Sequence, residues 1–134
     1  MPIYFFGCVF FYWVKGIRGD NLCYRCASEH IISNWGTYLP ILAVMDSSAT
    51  KRCTNESAHL DTVVCKSPCF ILNVTGIYEE KLVTYGVLRG CQSTFWSKVS
   101  KLDDTKRNCT TKMKVIRKRE FHAEYCFCNG DHCQ

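Results

Sequence analysis

Apolar and polar positions interleave most regularly in the middle of the chain. Between Cys69 and Cys91 the apolar stretch 70–77 meets the charged trio Glu79, Glu80 and Lys81 and then resumes over 82–88. Both arms are rich in β-branched and aromatic residues, which suit a pleated, half-buried surface, so the pattern predicts a strand, a turn and a strand. From 111 to 125 the pattern is again extended, with Met113, Val115 and Ile116 set among Lys112, Lys114, Arg117, Lys118 and Arg119. It predicts a second long strand. Between Cys91 and Cys109, Phe95, Val99 and Leu102 recur at i, i+4 and i+7 behind Ser93, which can cap, so a short amphipathic helix is expected there. The segment 29–49 has weak periodicity but carries Ile31, Ile32, Trp35, Tyr38, Leu39, Ile41, Leu42, Val44 and Met45, with Pro40 interrupting any helix. It reads as a long apolar loop. No internal repeat, low-complexity stretch or interdomain linker interrupts the chain.

The 134 residues suit one small domain, and 11 of them are cysteine, a density typical of extracellular scaffolds whose cores are too thin to hold them folded unaided. Residues 3–14 form an apolar run too short to span a bilayer, which takes roughly 20 residues, and suited to a secretory signal. Gly16 and Gly19 are the candidate cleavage points, so residues 1–19 are read as leader and 20–134 as the mature domain. Lys15 and Arg18 follow the apolar run rather than precede it, which leaves a signal anchor as the competing reading. Loss of the leader removes Cys8 and leaves ten cysteines, an even set that can close as five disulfides. The sequons at Asn55, Asn73 and Asn108 agree with passage through the secretory pathway, although a disulfide forming early at Cys109 competes with glycosylation at Asn108.

Charge excludes one class of partner. The mature chain carries a net charge of +3, from 15 basic and 12 acidic residues, which is too mild for a nucleic-acid surface. The cysteine spacings Cys23 to Cys26, Cys65 to Cys69 and Cys126 to Cys128, with His132 nearby, could ligate zinc in a reducing compartment, but behind a signal peptide oxidative pairing outcompetes thiolate ligation. Neither metal nor cofactor is expected. None of the four histidines, His30, His59, His122 and His132, sits in a catalytic signature. The acid pairs Glu79 with Glu80 and Asp103 with Asp104 fall in predicted turns, where no cleft would shift their pKa. No phosphate loop, nucleophile elbow or triad-like arrangement occurs, so an enzyme is not expected.

The mature chain opens Leu22, Cys23, Tyr24, Arg25, Cys26 and closes Tyr125, Cys126, Phe127, Cys128, Asn129, Gly130, Asp131, His132, Cys133. In these motifs, and in the order of its ten cysteines over residues 20–134, it resembles the Ly6/uPAR three-finger domains. The spacing around Cys65, Cys69, Arg89 and Cys91 looks more like the invertebrate neuronal branches of the sleepless/quiver and odour-response types. The resemblance implies a small disulfide-rich all-β, snake-toxin-like fold and the pairing Cys23 with Cys69, Cys26 with Cys53, Cys65 with Cys91, Cys109 with Cys126, and Cys128 with Cys133. The fingers would be the hairpins that those bridges close at a common palm. The family ends its motif on asparagine where this chain has Gln134, which puts that residue's palm hydrogen bonds in doubt. Many relatives continue into a lipid-anchor signal, and none follows Cys133 in the sequence given.

The resemblance further implies a secreted, non-enzymatic, monomeric binding protein that modulates a membrane receptor or ion channel. The rivals are a ligand-capturing receptor ectodomain, a cell-surface protein whose lipid-anchor signal is missing from this sequence, and a thiol oxidoreductase, which would need free thiols at Cys23 and Cys26. Two surfaces are candidates for the partner. The 26 residues between Cys26 and Cys53 hold more large apolar side chains than a thin sheet can readily bury, so Trp35, Tyr38, Leu39 and Ile41 are expected to form an exposed patch with the two aromatics as anchors, the competing reading being that the loop folds back over the sheet as its missing core. The run 112–119, with Lys112, Lys114, Arg117, Lys118 and Arg119, reads either as the solvated face of a strand or as a surface for an anionic receptor face, a sulfated glycan or acidic lipid heads.

Overall fold

The computed structural model describes residues 20–40, 51–54, 60–96 and 107–134. The leader, Ile41, Asn55, His59, Val99, Leu102, Asp103 and Asp104 lie outside the described residues. Six strands make one antiparallel sheet: β1 (Asn21–Ala27), β2 (Asp61–Cys65), β3 (Cys69–Tyr78), β4 (Lys81–Cys91), β5 (Asn108–Ile116) and β6 (Arg119–Cys128), in the order β2-β1-β4-β3-β6-β5. Three one-turn helices accompany them: α1 (Glu29–Ser33), α2 (Trp35–Tyr38) and α3 (Gln92–Phe95), together with a 3-10 turn, Lys51–Thr54. This is a small, disulfide-rich all-β fold.

Five disulfides close: Cys23–Cys69, Cys26–Cys53, Cys65–Cys91, Cys109–Cys126 and Cys128–Cys133. They are the same pairs that the family resemblance implies. Cys69 sits opposite Cys91 on one side and Cys128 on the other, so cystines gather at one end of the central strands. There Cys23, Cys65, Cys69, Cys91 and Cys128 form a buried cluster of their own. Each bridge stabilises by about 2–4 kcal/mol, chiefly by restricting the unfolded chain.

The alternation of β3 decides the rest of the packing. Phe70, Leu72 and Val74 point to one face with Leu88 of β4 and Phe121, Ala123 and Tyr125 of β6, and the chain after β1 lies across them. Ile31, Tyr38 and Leu39 complete that core. Close approach requires glycine in β4: a side chain at Gly86 would come 3.1 Å from Ile31, and one at Gly90 would come 3.0 Å from Phe95. On the opposite face Ile71, Val87 and Cys126 pack with Cys26 and Cys53, and the 3-10 turn lies against β4.

Two expectations need correction. The long strand over 111–125 is instead a hairpin, broken at Arg117 and Lys118, whose φ angles are +50° and +67°. Those signs make a two-residue turn of the primed type, which usually advertises itself as Asn-Gly and here is disguised by two long cations. The apolar loop over 29–49 is, as far as Pro40, two helical turns packed on the sheet. Burial prevails because the apolar face of β3, β4 and β6 would otherwise lie open to water. The helix expected behind Ser93 is also corrected: α3 is a single turn with Ser93 inside it rather than capping it, and the backbone is extended again at Trp96, while Phe95 is buried.

Candidate binding surfaces

The patch expected around Trp35 and Tyr38 is not a patch. Tyr38 is 3% exposed and Leu39 4%, while Trp35 is half-buried against Phe95, with ring centroids 5.8 Å apart. The Tyr125 hydroxyl donates to the Tyr38 carbonyl, and His30 Nε2 lies 2.7 Å from the Tyr38 hydroxyl. Burial pushes both Tyr38 and Tyr125 up to about 12, with the neighbouring Tyr125 adding to the shift of Tyr38. Burial also lowers the pKa of His30, whose ring is packed among Tyr38, Tyr85 and Phe121. These side chains are core, and the sheet obtains its missing cover from them.

The structure divides the basic run 112–119. Lys112 stands opposite Ala123, and Lys114 opposite Phe121, so both belong to the helix side of the sheet. The Lys112 ammonium lies 5.9 Å from the centre of the Tyr125 ring. A β-bulge between Val74 and Thr75 leaves Tyr85 as the extra residue of β4, and Tyr85 stacks edge-on to Phe121. The Arg119 guanidinium donates to the Tyr85 hydroxyl at 2.9 Å and lies over both rings. Arg117 and Lys118 occupy the turn itself. Between this basic row and α2 runs an open cleft of about 390 Å³, lined by Tyr38, Leu39, Trp96, Tyr125 and Phe127 with Lys112 and Lys114 at its edge. Cations standing over an aromatic floor suit an acidic or aromatic partner segment.

The partners of those lysines across the pleat are the surprise. Met113 and Val115 are 58% and 62% exposed on the other face, where Ile77 and Leu82, opposite one another on β3 and β4, are 59% and 69% exposed. The strict alternation over 112–115 was visible in the sequence. Which half of it faced the core was not.

Among the remaining candidates, Asn108 is exposed at the outer edge, whereas Asn73 is half-buried in the central strand with Oδ1 buried. Glu79 and Glu80 are exposed at the turn, and His122 is exposed on the same face as Met113. Asp131 accepts from the Leu22 amide at 2.8 Å, and His132 stacks on Tyr24 at 4.7 Å, so both serve the palm. Cys109, Glu124 and Cys126 bring three potential metal-ligand atoms together, but the two sulfurs are joined in a disulfide. Among the described residues no helix is long and apolar enough to cross a membrane.

Fold and surface together define a small disulfide-stapled β protein with two hairpins projecting away from its cystine-rich end. No protein-family model matches the chain, and neither does any curated protein or solved structure.

Proposed function

We propose that this chain is a secreted three-finger protein of the Ly6/uPAR type that acts without catalysis, by binding and modulating a membrane receptor or ion channel of neurons. The observation that carries the reading is the pair Lys112 and Lys114 at the edge of a cleft lined partly by aromatic side chains, displayed on a sheet stapled by five disulfides. A preorganised surface of this kind binds with little loss of conformational freedom. The receptor contact is therefore assigned to the helix-side face of β5 and β6, with the buried Tyr38 forming part of the cleft wall rather than an exposed anchor.

The test is electrophysiological. Purified protein is applied to cultured neurons and evoked currents are recorded, with Lys112→Glu/Lys114→Glu as the comparison. Current modulated by the natural protein and not by the variant, at equal thermal stability, supports the reading. Absence of cell-surface binding by the natural protein, or full activity of the variant, would overturn it.

A further inference from the structure

The two-residue turns at Glu79–Glu80 and Arg117–Lys118 lie side by side at the end of the sheet remote from the palm, because β3 pairs antiparallel with β6 up to Thr75 opposite His122. On the face away from the helices, that end is apolar on both flanks. Leu82 and Ile77 stand on β4 and β3, while Val115 and Met113 stand on β5, and all four are more than half exposed. The flanks differ in the charge of their turns: two glutamates on one, an arginine and a lysine on the other. Acids and bases thus sit at matching positions either side of the line between β3 and β6.

We propose that this half-face docks a second copy of the chain, the two sheets stacked face to face about a two-fold axis running along the strands. Rotation about that axis exchanges the flanks. It places Leu82 of one copy over Val115 of the other and sets Glu79 and Glu80 against Arg117 and Lys118, twice over, as an isologous interface requires. The chain carries both halves of the match, which singles out a second copy from other partners. An acidic lipid surface is disfavoured because the two glutamates project at the leading edge. Four strands at about 4.8 Å spacing and some six residues of each make a small contact, of the size of weak, transient interfaces. Glu120, opposite Val115 on β6 beside the axis, is set by the same rotation over Ile77 of the other copy, so its carboxylate is the one charge that the contact covers with an apolar side chain. The inference stands independently of the receptor reading, since the basic row lies on the other face and stays open in the dimer.

Sedimentation velocity of the oxidised protein from about 1 to about 300 µM, the range in which a small interface associates, tests it. The natural chain passes from monomer to dimer. Glu79→Lys/Glu80→Lys and Arg117→Glu/Lys118→Glu, both confined to exposed turns, each weaken association by at least about tenfold, since like charges then face one another. An equimolar mixture of the two variants restores the dimer as a heterodimer, and Glu120→Gln tightens the natural one. Leu82→Asp gives a second disruption should a turn variant fail to fold. A natural chain that stays monomeric throughout, variants that dimerise unchanged, or a mixture that stays monomeric overturns the proposal. So does binding of the monomer to phosphatidylserine vesicles with no dimer formed in their absence.

Discussion

The side-chain amide of Gln134 donates to the Phe70 carbonyl at 2.7 Å, tying the last residue of the sequence to the central strand. The same nitrogen reaches the carbonyls of Tyr24 and Gly90, and Oε1 accepts from the Tyr24 amide at 2.8 Å, so one side chain clasps β1, β3 and β4. Asn21 makes a parallel clasp, donating to the Ser67 carbonyl and to Asn129 and accepting from the Gly130 amide. The glutamine thus supplies hydrogen bonds at the cystine-rich end of the sheet. Gln134→Ala is expected to lower unfolding stability by about 1–3 kcal/mol, since polar groups at a partly buried site lose their partners. Chemical denaturation under oxidising conditions measures it, and a loss near zero would mean that water replaces the amide.

Burial separates residues that look alike in the sequence. Tyr38→Ala is expected to cost about 3–5 kcal/mol, because it empties the space over Tyr125, whereas Leu82→Ala should change stability by less than about 0.5 kcal/mol. Thermal melts of the two variants side by side check the assignment of core and surface. Equal effects would contradict it.

How much of this was legible in the sequence depends on which physical signal each part used. The hairpin around Glu79 and Glu80 could be read because apolar arms flank a charged break. The equivalent hairpin around Arg117 and Lys118 looks like one strand in the sequence, because its turn has no glycine or asparagine and its strands carry cations on both sides of the break. Cover of the sheet by Ile31, Tyr38 and Leu39 is a tertiary effect: nothing local says whether an apolar segment folds back or faces a partner. The same limit hid the exposed face of Ile77, Leu82, Met113 and Val115. Alternation gives two faces and leaves the choice of the buried one to the rest of the fold.

Acid should destabilise the protein through His30. Its folded pKa is lowered by burial from the ordinary 6.5, so below that value the unfolded chain binds the proton more readily than the folded one. Stability is therefore unaffected by this group above the ordinary value and falls as pH drops below it, down to the lowered folded pKa. Melting temperatures recorded between about pH 7.5 and pH 4.5 should decline, and His30→Gln should flatten the upper part of that decline. An unchanged profile in the variant would place the titration elsewhere.

Glycosylation should distinguish the two described sequons. Asn108 begins the outer strand β5 and is exposed. Asn73 lies between β4 and β6 with its Oδ1 buried, on the same face as the proposed self-contact. Glycopeptide mass spectrometry of protein from an animal cell line is expected to find Asn108 occupied and Asn73 bare. The reverse would show that the disulfide at Cys109 closes before the glycan is added.

The two turns should be improvable, and at a functional cost. Glu79, Glu80, Arg117 and Lys118 all hold left-handed backbone, with φ of +49°, +64°, +50° and +67°. A residue with a β-carbon is disfavoured there by about 1–2 kcal/mol, a strain that glycine does not feel. Glu80→Gly and Lys118→Gly are each expected to raise stability by up to about 1 kcal/mol, reduced by glycine's greater freedom in the unfolded chain. In a domain of this size that is a rise of a few degrees in Tm. Each substitution also deletes one of the charges set against a second copy, so the stabilised variants should dimerise less well. Melting and sedimentation on the same samples decide the point, and a variant that becomes more stable while dimerising as before would detach the turns from any such contact.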